Sequence, residues 1–207
     1  FALYPRSAAE DLAKLSGLAV DVAYMPTPET MYPDGFATTV AVGGMLTEVL
    51  DAVARPGHFA GVATVVSKLL LQAMPDMAAF GEKDYQQLQI VRRMVRDLDL
   101  AVEILAVPTV RDAHGLALSS RNRYLSAGEL KSARQLNTIL ATAAEQLRQG
   151  ATAAQACDAA ARALTQAGFT SVDYVALADP DTLAPMETLD RAGRLLAAAR
   201  IGRTRRI

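Results

Sequence analysis

The sequence predicts an α/β fold, with a parallel sheet layered by helices over residues 1–109 and a smaller α+β unit over residues 110–207. Two apolar runs, residues 77–80 and 101–107, flank a helical stretch within about 30 residues, the span of a βαβ crossover. The alternation of strand and helix ends near Thr109. Beyond it, paired Ala-rich helices precede two more strand-like runs.

The elements follow in order. Ser7, with Glu10 three residues on, has the pattern of a capping box and opens a short helix that Gly17 closes. Residues 18–24 (LAVDVAY) predict a strand stopped by Pro26 and Pro28. Residues 25–44 are rich in Pro, Gly and Thr and read as a long connection with at most one short strand, a kind of segment that often lines sites. From His58 to Met74 the apolar positions recur at helical spacing, and Pro75 marks the exit. Residues 77–80 form a strand, 81–84 a GEKD turn, and 85–97 a helix with Leu88, Val91 and Val95 on one face. A further strand over 101–107 ends at Pro108, and a crossover of this kind builds a parallel sheet. In the second unit, Ser126 and Glu129 form another capping box, opening a helix that runs to Gln149 and stops at Gly150. An Ala-rich helix covers 153–166, and strands over 172–178 and 195–201 surround turn-rich residues 179–190.

Composition narrows the function. The 207 residues are 51% hydrophobic and 21% charged, enough apolar content for a sizeable core in one or two domains. A formal net charge of −1 gives no global attraction to nucleic acid or anionic membrane, and the basic tail at Arg203, Arg205 and Arg206 reads as a solvated end. No apolar run has the length of a membrane span and the first residues lack signal-peptide order, so a cytoplasmic location is expected. The single Cys157 excludes an internal disulfide or a cysteine zinc site, and His58 and His114 alone exclude a multi-histidine metal centre.

The chemistry is expected at the carboxyl ends of the parallel strands, where Gly81, Glu82, Lys83 and Asp84 precede a helix. Gly81 permits close approach of the backbone, the first helical N–H groups attract anions, and Lys83 adds a full positive charge, a combination suited to a nucleotide. Taken alone, GEKD favours a plainer account in which Asp84 caps the helix and Lys83 is solvated. Lys83 is nevertheless one of only four lysines. Gln87 falls on the same helical face and its amide suits a hydroxyl or carboxylate. A second cluster, Leu118, Ser119, Ser120 and Arg121, follows Asp112 and His114 in a loop between the units. Two hydroxyls and a guanidinium suit a phosphate chain, and equally suit a polar linker making local turns.

Three motifs in order, RPGHFAGVATVVSKLL from Arg55, FGEKDYQQL from Phe80 and VPTVRDAHGLALSSRNRYL from Val107, resemble the pantothenate synthetase (pantoate-beta-alanine ligase) family. YPR from Tyr4 and MYPDGFAT from Met31 extend the likeness over essentially the whole chain. The resemblance implies a Rossmann-like N-terminal domain related to class I aminoacyl-tRNA synthetases, a smaller C-terminal lid and a homodimer. It implies that pantoate attacks the α-phosphate of ATP to give pantoyl adenylate and pyrophosphate, after which β-alanine takes the acyl group and AMP leaves. No enzyme nucleophile is needed. By motif, Gly81, Glu82, Lys83 and Asp84 would bind ATP, with Lys83 on phosphate and Asp84 near the ribose; Gln87 would hold pantoate, and Val110 would touch the adenine. Leu118, Ser119, Ser120 and Arg121 would form the mobile phosphate loop, with Lys83, Ser119, Ser120 and Arg121 the catalytic set. Mg2+ would accompany the nucleotide through phosphate oxygens and water. The family's HxGH element and an early glutamine are absent; GHFAG from Gly57 has one histidine and lies mid-domain. The parallel-sheet domain is therefore expected to be partial and the sequence incomplete relative to the natural protein. Two alternatives stay open: a related nucleotidyltransferase, and an inactive nucleotide-binding or dimerisation module.

Overall fold

The computed structural model describes residues 8–202 and the backbone of residues 204–205. Ser7 and Tyr4–Arg6, and with them the first capping box and the YPR motif, lie outside the described residues, as do Arg203 and Arg206. The chain separates into two units, residues 1–38 and 39–207.

In the first unit, helix α1 (Ala8–Gly17) places Glu10 and Asp11 in its first turn, where they favour the helix dipole. The predicted strand over residues 18–24 is absent: this stretch is turn, bend and coil, and Val22 is 77% exposed. LAVDVAY has strand composition, but a strand exists only where its N–H and C=O groups meet a ladder, and here Val20 N–H bonds back to Leu15 of α1. In the long connection, Thr27 caps a single helical turn, α2 (Pro28–Met31), by accepting from Thr30 N–H, with Pro28 at the first helical position. Residues 25–44 contain no strand.

The second unit begins with a 3-10 turn (Met45–Thr47) and the short α3 (Asp51–Ala54). Gly57, at φ 74°, leads into α4 (His58–Ala73), which ends where Met74 turns left-handed ahead of Pro75. Thr64 on α4 is buried and fully engaged: its hydroxyl bonds Ala60 O at 2.7 Å and accepts Val40 N–H at 3.0 Å. Strand β1 (Met77–Gly81), helix α5 (Tyr85–Asp97) and strand β2 (Glu103–Val107) make the predicted crossover. β1 and β2 pair in parallel from Met77↔Glu103 to Gly81↔Val107. Helix α5 packs Leu88, Ile90, Val91 and Met94, each no more than 1% exposed, against α4 and the sheet.

The remainder is α+β. The predicted helix from Ser126 to Gln149 is split at Arg134 into α6 (Ala127–Ala133) and α7 (Gln135–Arg148). The Ser126–Glu129 capping box forms as expected, and a second one, Thr152 with Gln155, opens α8 (Ala153–Gln166). β3 (Ser171–Ala178) and β4 (Arg194–Ile201) pair antiparallel, with β5 (Thr204–Arg205) at the edge of β4. Two apolar clusters fill the space between this sheet and α6–α8, while Leu183 and Leu196 join Leu46, Phe59, Tyr85 and Leu88 in a third.

Candidate functional site

Parallel pairing brings Gly81 and Val107 side by side at the carboxyl ends of β1 and β2, and both chain segments that carry the predicted chemistry leave from there. After Gly81, residues Glu82–Asp84 form one 3-10 turn that runs directly into α5. A side chain built at Gly81 would meet nothing within 4 Å, so the backbone faces open space. Lys83 is half-buried and makes no hydrogen bond or ion pair among the described residues. Asp84 occupies the cap position of α5 without a side-chain cap bond, so the capping account of this residue is not realised.

The two glutamines of the motif have divergent roles. Gln86 is buried and structural: its amide nitrogen donates to Leu46 O and Val49 O at 2.8 and 2.9 Å, and its oxygen accepts Asp51 N–H at 2.9 Å. Gln87 is half-buried and makes no hydrogen bond among the described residues.

From Val107 the chain continues into a tight hairpin. Leu118 N–H bonds Val110 O at 2.9 Å, Arg111 bridges Ala117, and Asp112 N–H bonds Leu116 O at 2.8 Å. Gly115, at φ 84°, closes the turn, and a side chain there would press on the Asn137 amide at 3.0 Å. Asp112 organises this turn by accepting N–H bonds from His114 and Leu116, both at 2.9 Å, and by pairing with Arg134 at 3.3 Å. Partial desolvation pushes the Asp112 carboxyl upward; the Leu116 and His114 N–H groups and Arg134 together outweigh it and hold the group below the ordinary carboxylate range. Val110 and Leu118, at 62% and 55% exposed, remain open while Leu116 is buried as the anchor. Ser119 then caps a 3-10 turn (Ser120–Tyr124) by accepting Arg121 N–H at 3.3 Å, and Asn122 ties back to Ala117 O at 3.0 Å.

Val110 is three residues past Val107, a reach of about 10 Å at most, and Leu118 lies beside Val110. Lys83 is two residues past Gly81, which is paired with Val107.

Sequence reasoning did not single out Arg194 or Tyr85. Arg194, first in β4, pairs with Glu82 at 3.0 Å and stacks 3.9 Å above the Tyr85 ring, while the Tyr85 hydroxyl donates to Pro180 O at 3.0 Å. Tyr85 was visible within the GEKDY run; Arg194 had no sequence signal, because its partners lie 109 and 112 residues away.

The sequence profile of the pantoate-beta-alanine ligase family matches residues 1–207. The chain is 55% identical to the pantothenate synthetase of Mesorhizobium japonicum over 204 residues, covering 99% of this chain and 71% of the relative. It is 53% identical to that of Paramagnetospirillum magneticum over 207 residues, covering 100% and 72%. Among solved structures, pantothenate synthetase from Thermus thermophilus superposes with a TM-score of 0.93 at 46% identity, covering 99% of this chain and 74% of that one. The pantoate-beta-alanine ligase of Francisella tularensis, complexed with β,γ-ATP and β-alanine, gives 0.79 at 28% identity over 99% and 69%. Matched along its whole length, and sharing half its residues with pantothenate synthetases, the chain belongs to the pantoate-beta-alanine ligase family.

Proposed function

We propose that the chain acts as an AMP-forming ligase: it joins pantoate to β-alanine at the expense of ATP, through a pantoyl adenylate. The observation that carries this reading is the half-buried Lys83 at the carboxyl end of a parallel strand, with no ion pair among the described residues, in a chain of this ligase family. A carboxylate must be brought against a polyanionic triphosphate, and the problem is one of positive charge and alignment. Lys83 meets the phosphates, and the first turn of α5 adds its N–H groups. Gly81 and Glu82 border the nucleotide through their backbone, and Asp84, with no cap bond to hold it, reaches the ribose. Gln87 grips pantoate, Val110 packs on the adenine, and Leu118, Ser119, Ser120 and Arg121 close over the phosphates as a loop. The division at residue 109/110 separates the sheet that presents the substrates from the unit that supplies the closing loop.

The metal fits as a companion of the nucleotide. Among the described residues there is no group of three or more His, Cys, Asp or Glu side chains that could hold an ion, whereas Mg2+ on a triphosphate needs few protein ligands. When bound it neutralises phosphate charge. The same reading makes the enzyme a cytoplasmic homodimer; among the described residues no helix is long and apolar enough to cross a membrane.

The test is Lys83→Ala, assayed by pantoate-dependent pyrophosphate release. Loss of one charge-stabilising group predicts a fall of about 100-fold or more. Release at the unaltered rate would refute the assignment. Phosphopantetheine as an alternative acceptor, if it replaced pantoate in the same assay, would point to a nucleotidyltransferase instead.

A further inference from the structure

We propose that Arg194 is a positioning residue for nucleotide binding: by pairing with Glu82 it removes a carboxylate from the field of the turn that carries Lys83. The inference rests on the ATP-binding reading of that turn.

Glu82, Lys83 and Asp84 together carry a net charge of −1, so the turn alone is a poor host for a triphosphate. Glu82 directly precedes Lys83, and a carboxylate left free there would repel phosphate oxygens and compete with them for the ammonium group. In the structure that carboxylate is occupied. Arg194 Nη2 lies 3.0 Å from Glu82 Oε1, and both side chains are about two-thirds buried or more, at 35% and 26% exposed. The guanidinium is fixed from a second side by the Tyr85 ring 3.9 Å beneath it, and that ring is tethered through its hydroxyl to Pro180 O at 3.0 Å. Arg194 also sits in register with Ala178 on β3, so the cation belongs to a strand and not to a loop. The guanidinium serves the carboxylate and the ring together, and its charge is what neutralises Glu82. Lys83, by contrast, keeps no partner among the described residues. One cation holds the acid and the other stays available for phosphate.

The experiment compares ATP affinity by calorimetry, with KM and kcat for the overall reaction, in Arg194→Gln, Glu82→Gln and the double variant; Lys83→Ala serves as the reference for the nucleotide site. Arg194→Gln is expected to raise the ATP Kd and KM about tenfold or more and to change kcat less than about threefold. In the Glu82→Gln background the same Arg194 change should cost less than about threefold, because no carboxylate remains to be held. An equal loss of affinity in both backgrounds would mean that Arg194 acts through packing alone, and would overturn the proposal. So would unaltered ATP binding by Arg194→Gln when Lys83→Ala has lost it. If Lys83→Ala also bound ATP normally, the nucleotide-site reading would fail and this proposal with it. Should Arg194→Gln not fold, Arg194→Lys keeps the charge: ATP affinity within about threefold of the parent supports neutralisation, and a tenfold loss overturns it.

Discussion

Adjacent residues of one motif can serve unlike ends, and Gln86 with Gln87 shows how burial decides between them. Gln86 meets three backbone groups and holds α5 to the segment around α3; Gln87, one residue on, meets none among the described residues. Gln87→Ala is accordingly expected to raise the KM for pantoate about tenfold, the worth of a hydrogen bond to a charged group, with little change in melting temperature. Steady-state kinetics with varied pantoate checks it. Asp112 is the structural counterpart in the second motif. Its folded carboxyl is held below the ordinary range, so its stabilisation is fully present above the unfolded value of about 3.9 and is lost as pH falls through the lower folded value. Asp112→Asn should therefore melt earlier than the parent at pH 7, with the gap closing in strongly acidic buffer; a gap independent of pH would show that the charge is irrelevant. Burial likewise pushes the Cys157 thiol up, in keeping with a packing role. These local pairings were only partly legible. Lys83, Gln87 and the SSR run could be proposed from residue type and spacing, but the contact of Arg194 with Glu82 depends on a strand and a turn more than a hundred residues apart meeting in space.

Elements were most legible where the signal was local and periodic. The helix from His58, the GEKD turn, and the strands on either side of α5 fall within a residue or two of expectation, because their apolar spacing and their Gly and Pro stops act over a few residues. The Ser126–Glu129 box forms as the sequence indicates, and the Thr152–Gln155 box obeys the same rule. Thr152→Ala removes the side chain that accepts Gln155 N–H, and is expected to cost about 1 kcal/mol in urea unfolding with no change in the ATP KM. Residues 18–24 fail for the converse reason: strand propensity is conditional on a neighbour, which composition cannot supply. The break at Arg134 is subtler. Its N–H keeps the helical bond to Leu130 O at 3.2 Å, while its guanidinium reaches Asp112, so the long helix bears on the hairpin at the point where its regularity lapses.

At the scale of the molecule, the fold supplies one crossover whose strand ends serve both motifs. The GEKD turn leaves from Gly81 and the SSR hairpin from Val107, and the two strand ends are partners in the sheet. The two motifs, nearly forty residues apart in sequence, thus leave the sheet from paired strand ends. The apolar cluster that unites Phe59, Tyr85 and Leu88 with Leu183 fixes the β3–β4 region against the base of the GEKD turn. The α/β class and the two long C-terminal strands were readable from the alternation of patterns and from where it stops; their antiparallel pairing is a property of the assembled sheet. The most direct measurement is a crystal structure with a non-hydrolysable ATP analogue. Phosphate oxygens within hydrogen-bonding distance of both Lys83 Nζ and the Arg121 guanidinium are the expected result. An analogue held by one of these cations with the other turned to solvent, or bound away from the ends of β1 and β2, would contradict the account.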